Sequence, residues 1–242
     1  MINAIVFDVD DTLYDQQAPF NNALTICFPE AAKKFDLHHA YLRFRFYSDE
    51  TFCKYISGEW TLPFMRFNRI AQVLKERGFT ITEEEGLSFQ EVYEVELDQI
   101  QLLPEAEAIL TKLANNKEID LGIITNGPTD HQLRKIKQLQ LEKWIPIENM
   151  IISESSGYAK PDPQIFHLAT KEFHFEASKT LYVGDNFDND VDGAKAAGWN
   201  ALWFNHRKRL KPISRWDCDY EITCFTELPA LIDEIIETKL VK

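Results

Sequence analysis

The chain reads as an α/β protein, a parallel sheet flanked by helices, with a block of helices inserted after the first strand. Three observations predict this. Short apolar runs of strand length recur and each ends in small or polar residues. Patterns of helical period lie between those runs. Residues 16–98 differ from the rest, with helix-like stretches and many aromatics but no convincing buried strand.

The first run, residues 2–7, leads into Asp8. Leu121–Ile124 leads into Thr125-Asn126-Gly127, Met150–Ile152 into a Ser/Gly stretch, and Thr180–Val183 into Gly184-Asp185; Ala201–Phe204 is the fifth run. Such short runs with β-branched residues fit strands buried on both faces, because a sheet covered by helices has no wet side. Pro104 opens a helix through Leu113, with Ile109, Leu110 and Leu113 on one stripe. Thr129 or Asp130 is placed to cap a helix running to about Leu139. Asp162-Pro163 is an N-cap and first-turn pair ahead of Ile165, Phe166 and Ala169. Gly193–Ala197 reads as a further helix, closed by Gly198. Strands alternating with helices predict a parallel sheet.

The first strand stands at the N-terminus, yet its partners resume only after residue 99. Residues 16–98, with helices expected near Pro63–Arg77 and Thr82–Leu97, therefore read as an insertion into a core of residues 1–15 and 99–242. A chain of 242 residues buries a sizeable core without disulfide or metal staples. Its net charge of −13 argues against nucleic-acid polymers and membrane surfaces, which recruit many Lys and Arg side chains. A small anionic partner stays admissible, because one Lys and one cation reverse the potential inside a cleft. Cys27, Cys53, Cys218 and Cys224 match no zinc spacing and read as reduced thiols. The opening run is too short for a signal peptide or a membrane span, so the expectation is a cytoplasmic protein.

Asp8-Val9-Asp10-Asp11-Thr12-Leu13 closes the first strand. Residues two apart in extended backbone share a side, so Asp8 and Asp10 converge at the carboxyl end, where open α/β sheets place ligands. Close carboxylates persist cheaply only with a neutralising cation or a retained proton. A second acidic cluster, Gly184 to Asp190, follows another strand. Asp188, Asp190, Asp192 and Gly193 match half of a calcium EF-hand loop. Its twelfth position is Trp199 instead of Glu, and a strand precedes it, which argues against that loop. Asp185 is better read as joining Asp8 around Mg²⁺, a cation that prefers oxygen ligands. Thr125-Asn126-Gly127 offers a hydroxyl and N–H groups at a strand-to-helix turn, a weak phosphate-binding signal alone. Lys160, between Ala159 and Pro161, is a lone cation beside a helix start.

Taken in order, DVDDTL, ITNG, AKPDP and GDNFDND resemble the four motifs of the haloacid dehalogenase (HAD) superfamily, over essentially the whole chain. The resemblance implies a Rossmann-like core with a helical cap, and a Mg²⁺-dependent phosphatase acting on a small phosphorylated metabolite. It makes Asp8 the nucleophile of an aspartyl-phosphate and Asp10 the acid and base, whose backbone carbonyl also helps bind metal. Thr125 and the Asn126 backbone would hold the phosphoryl group, and Lys160 would pair with nucleophile and phosphate. Asp185 would complete the metal ligands, with Asn186 and Asp190 in supporting or water-bridged positions.

Haloacid dehalogenases proper lack the acid two residues after the nucleophile; Asp10 is present here. Phosphonate hydrolysis would need a cap lysine forming a Schiff base, and nothing marks Lys54 or Lys75 as buried. DVDDTLYDQ, with Asp11 and Tyr14, resembles the pyrimidine 5′-nucleotidase-type branch, which makes a nucleoside monophosphate the expected substrate. Phe44, Phe46, Tyr47, Phe52, Tyr55, Trp60, Phe64 and Phe67 read mostly as packing of the insertion. A phosphoglucomutase-like isomerase would use the same Asp pair, and a non-catalytic binding module would have lost a key residue. The chain is expected to be a monomer or homodimer. The basic cluster of Arg207 to Lys211 with Arg215 has no assigned role.

Overall fold

The computed structural model describes residues 2–237. Residues up to Asp15, together with those from Gln101 on, form one compact unit, and Gln16–Ile100 forms another.

The Gln16–Ile100 unit is helical, and among the described residues it holds no strand. Its helices are α1 (Gln17–Cys27), α2 (Pro29–Ala32), α3 (Leu37–Ile56), α4 (Leu62–Lys75) and α5 (Glu83–Leu97). The sequence sets their starts through side chains that accept otherwise orphaned N–H groups. Asp36 accepts from His39, Thr61 from Phe64, and Thr82 with Glu85 closes a reciprocal capping box. The interior is aromatic. The Phe44 ring lies 4.8 Å from Phe20, 5.9 Å from Phe89 and 5.7 Å from Tyr93, between centroids. Arg69 lays its guanidinium 4.5 Å from the centre of the Phe44 ring and donates to Gln90 Oε1 at 2.5 Å. Phe46, Phe64, Lys54 and Lys75 are exposed, so the aromatics of this unit divide between core and surface.

The other unit is built on β1 (Ala4–Phe7), β2 (Asp120–Thr125), β3 (Met150–Ile152), β4 (Thr180–Gly184), β5 (Asn200–Phe204) and β6 (Tyr220–Ile222). All neighbours pair in parallel, in the order β3-β2-β1-β4-β5-β6. Val6 stands opposite Gly122 on one side and Tyr182 on the other. The strand order reverses at β1 and β4, so the connections leave this pair in opposite directions and open a crevice at its carboxyl ends.

Helices α6 (Pro104–Ala114), α7 (Thr129–Gln138), α8 (Ser153–Ser156), α9 (Pro163–Glu172), α10 (Gly193–Ala196) and α11 (Leu228–Glu237) complete this unit. Ala4 and Val6 join Ile165, Phe166, Tyr182, Val191, Trp199 and Trp203 in one buried layer. On α6 the buried residues are Ala106, Ile109, Leu110 and Leu113; the helix packs on β2, and α11 packs on α6. Burial on both faces is why these strands read as unbroken apolar runs.

Two details depart from the sequence reading. Strand β6 was not anticipated, because it is a three-residue edge strand with only Ile222 buried. The N-terminus of α7 is capped by neither Thr129 nor Asp130; Glu154 of α8 accepts from the Thr129 N–H at 2.7 Å. Among the described residues no helix is long and apolar enough to cross a membrane, and the four cysteines are free.

Candidate active site

The carboxyl ends of β1, β2 and β4 bring the motif residues together. Asp8 is pinned there by its N–H, which donates to the Val183 carbonyl at 2.9 Å. Lys160 comes from the loop ahead of α9. Asn126 fixes that loop from the end of β2: its Oδ1 accepts from the Lys160 N–H and its Nδ2 donates to the Lys160 carbonyl, both at 2.9 Å. The Lys160 ammonium then donates to Asp8 Oδ1 at 2.8 Å, to Asp190 Oδ1 at 2.6 Å and to the Tyr182 hydroxyl at 2.9 Å. The Tyr182 hydroxyl in turn donates to the Ile124 carbonyl at 2.7 Å. All three ammonium protons are thus used inside a buried site.

Asp190 sits in a wide π-helical turn, Phe187–Asp192, that runs into α10. Its Oδ2 accepts from the Asn186 N–H at 2.9 Å, while Asn186 caps the turn by accepting from Asn189. Gly184 is what admits Asp190. A Cβ there would stand 2.3 Å from Asp190 Oδ2, closer than real contacts allow. Asp185 is held from behind by Trp203, whose indole N–H donates to its carbonyl at 2.9 Å, and Arg209 lies 3.0 Å from its Oδ2.

One carboxylate oxygen from each of Asp8, Asp185 and Asp190 lies within 4.8 Å of the others, and all three residues are buried. A set of hard oxygen donors suits Mg²⁺ or a similar cation. Asp190, expected in a supporting or water-bridged position, brings a carboxylate oxygen to the same cluster. The carboxylate of Asp10 does not; it is turned to other partners. The electrostatics follow from burial. Burial raises the pKa of Asp8, opposed by Lys160 and reinforced by the negative charges of Asp185 and Asp10. Burial also lifts Asp190 to about 6, against the pull of Lys160. Burial would lower Lys160, but the carboxylates of Asp190 and Asp8 hold it well above its ordinary range.

Asp10 accepts four hydrogen bonds from three side chains: Lys135 Nζ at 2.6 and 2.8 Å, Tyr14 at 2.5 Å and Gln132 Nε2 at 3.0 Å. Gln132 also donates to the Asn126 carbonyl at 2.8 Å, tying α7 to the Thr-Asn-Gly turn. Thr125 is fully buried and its Oγ1 has no hydrogen-bond partner among the described residues, as expected of a hydroxyl kept for a ligand.

Asp11, fully buried with φ +60°, has a separate task. Arg207 reaches its two oxygens at 2.7 and 3.1 Å, and His206 Nε2 lies 2.9 Å from its carbonyl oxygen. Burial alone would raise the Asp11 pKa, but the hydrogen bonds from His206 and Arg207 draw it far below the usual carboxylate range. Arg207 and Arg209 thereby give the basic cluster a place in the site.

Sequence reasoning did not find Gln132, Lys135 or Tyr182, and it named Tyr14 and the Arg207 to Lys211 cluster without giving them these contacts. Gln132 and Lys135 did carry a signal, since they lie three apart on the helix that follows Thr-Asn-Gly. Tyr182 carried none, because an aromatic within an apolar run reads as core.

A family model described as haloacid dehalogenase-like hydrolase matches residues 2–198. Glyceraldehyde 3-phosphate phosphatase of Pyrococcus abyssi is 38% identical over 108 residues, covering 44% of this chain and 43% of that protein. Pyrimidine 5′-nucleotidase YjjG of Escherichia coli is 33% identical over 111 residues, 46% of this chain and 48% of its own. The chain thus aligns with about half the length of either relative. The crystal structure of the HAD-hydrolase YfnB from Bacillus subtilis superposes with a TM-score of 0.72 at 24% identity, over 96% of this chain and 99% of that one.

Proposed function

This chain belongs to the haloacid dehalogenase-like hydrolase family, and we propose that it hydrolyses small phosphomonoesters through an aspartyl-phosphate on Asp8. The observation that carries this reading is the meeting of Asp8, Asp185 and Asp190 with Lys160 at one strand end. Asp8 and Lys160 supply a nucleophile and a cation to a group that is itself anionic, and phosphoryl transfer depends mainly on positioning and charge stabilisation.

In the first half-reaction an Asp8 oxygen bonds phosphorus, the ester P–O bond breaks, and Asp10 gives its proton to the departing oxygen. In the second, Asp10 takes a proton from water as the water oxygen bonds phosphorus. The bond from Asp8 to phosphorus then breaks and its electron pair returns to the carboxylate. Lys160 holds the nucleophile, and Thr125 Oγ1 has a hydrogen bond to give a phosphoryl oxygen. Asp8, Asp185 and Asp190 would hold Mg²⁺, with the Asp10 backbone carbonyl as a further oxygen. When bound, Mg²⁺ supplies charge neutralisation for the carboxylates and the phosphoryl oxygens.

For the substrate we favour a nucleoside 5′-monophosphate, on the DVDDTLYDQ string and the relative named a pyrimidine 5′-nucleotidase. The relative named a glyceraldehyde 3-phosphate phosphatase puts triose phosphates in the same panel. The test is phosphate release from p-nitrophenyl phosphate, nucleotides and sugar phosphates, with and without Mg²⁺, beside Asp8→Asn. Mg²⁺-dependent release lost in Asp8→Asn supports the reading; release that survives the substitution rejects Asp8 as nucleophile. Sugar phosphates preferred by about tenfold or more, a gap of roughly 1.4 kcal/mol, would reject the nucleotide assignment.

A further inference from the structure

We propose that Lys135, flanked by Gln132 and Tyr14, is the positioning residue for Asp10, and through it governs both leaving-group protonation and water attack. The inference rests on the phosphatase reading above.

Helix α7 presents Gln132 and Lys135 on one face, three residues apart. Lys135 Nζ spans the Asp10 carboxylate, at 2.6 Å from Oδ1 and 2.8 Å from Oδ2. Tyr14 adds a second bond to Oδ1 at 2.5 Å, and Gln132 a second to Oδ2 at 3.0 Å. A carboxylate has about four lone-pair directions, so these donors together fix the rotation of the ionised form, and one of the four bonds gives way when Asp10 holds the proton. Tyr14 is tied to Asp10 through backbone as well, by an isolated bridge.

Stability does not account for such a cluster. The Lys135 and Asp10 side chains are only 3% and 9% exposed. A buried ion pair must overcome the loss of two hydration shells, and well-packed apolar residues often serve the fold equally well. What the pair supplies is direction. An acid that must meet a departing oxygen, and then a water, loses rate steeply with small misplacement. Lys135 touches neither reacting atom; it acts only by holding Asp10.

The test uses kcat and KM for p-nitrophenyl phosphate and for the best alkyl monophosphate of the panel. Lys135→Met is expected to lower kcat about 100-fold with KM within about twofold. The loss should be larger for the alkyl ester, whose leaving oxygen needs the proton. With p-nitrophenyl phosphate, rapid mixing should reveal a burst of nitrophenol near one per site before slow turnover, because the phosphoenzyme waits for its base. Lys135→Arg should recover most of the rate. In an Asp10→Asn background, Lys135→Met should cost nothing further. Losses that multiply in the double variant would overturn the proposal, as would a raised KM with kcat unchanged. If thermal unfolding shows that Lys135→Met does not fold, Lys135→Arg and Gln132→Leu carry the same test through the split between kcat and KM. A wild type that releases no phosphate removes the phosphatase reading and this inference with it. An active wild type with an indifferent Lys135→Met removes this inference alone.

Discussion

Gly184 and Asp190 share one small volume: a Cβ on the first would stand 2.3 Å from Oδ2 of the second. Gly184→Ala therefore forces Asp190 off Lys160 and off the Asn186 N–H. Crowding of this kind costs about 1–3 kcal/mol, and a displaced ligand weakens metal binding by roughly 10–100-fold. A lowered melting temperature together with a weaker Mg²⁺ titration is the expected result; unchanged Mg²⁺ affinity would remove Asp190 from the metal site.

Lys160 separates two buried carboxylates that would otherwise face each other. Lys160→Met should lower kcat by roughly 10²–10³. It should also destabilise the metal-free protein at neutral pH by about 3–5 kcal/mol, because uncompensated charges remain buried. Denaturant midpoints with and without Mg²⁺ check this, and Mg²⁺ should restore part of the loss.

The metal-free site also has a pH signature. Asp190 titrates near about 6 in the folded chain, above its ordinary 3.8, so the folded state binds that proton more tightly than the unfolded one. Protonation therefore adds stability as pH falls from about 6 toward 3.8, and the gain is lost as pH rises through about 6. Asp8 shifts in the same direction. In a chelator, melting temperature should rise between neutral and mildly acid pH. Asp190→Asn should flatten the rise, and saturating Mg²⁺, which favours the ionised carboxylates, should reverse it.

Arg207→Ala strands the buried Asp11 carboxylate, whose side chain is fully enclosed. The expected cost is about 3–5 kcal/mol. Arg207→Lys should recover little of it, because one ammonium cannot reproduce the fork that reaches both oxygens. Urea unfolding of the two variants, with Asp11→Asn as a partner in a double-mutant cycle, measures the coupling.

In the helical unit, Phe44→Ala should cost about 3–5 kcal/mol, as expected for an emptied core position. Phe64→Ala, at an exposed position, should stay within about 0.5 kcal/mol. Equal effects would mean that the aromatic cluster around Phe44 is not the core of that unit.

The strands and the acidic motifs were legible because each leaves a local mark. A strand such as β4, covered on both faces, is an unbroken apolar run; Asp8 and Asp185 close such runs, and Asp10 lies two residues after Asp8. Partners that depend on the third dimension left almost none. Lys135 lies well along a helix, and its charge reads as surface until the helix is seen to aim it at Asp10. Tyr182 looks like core because its ring is core; only the hydroxyl belongs to the site. Arg207 sits in a polar stretch far from Asp11 in sequence, and nothing local signals that a buried carboxylate needs it. Strand β6 escaped because three residues at a sheet edge, with one buried, fall below any apolar pattern.

The position of β1 also governs the order in which the molecule can be assembled on the ribosome. This strand is made before its two neighbours, β2 and β4, which emerge only from residues 120 and 180 onward. The helical unit between them is contiguous and is finished first. At a synthesis rate of about 5–20 residues per second, the apolar segment that ends in Asp8 waits on the order of ten seconds or more for its second neighbour. During that interval its backbone has no strand partner from the sheet, the condition in which an apolar strand is open to pairing with other chains.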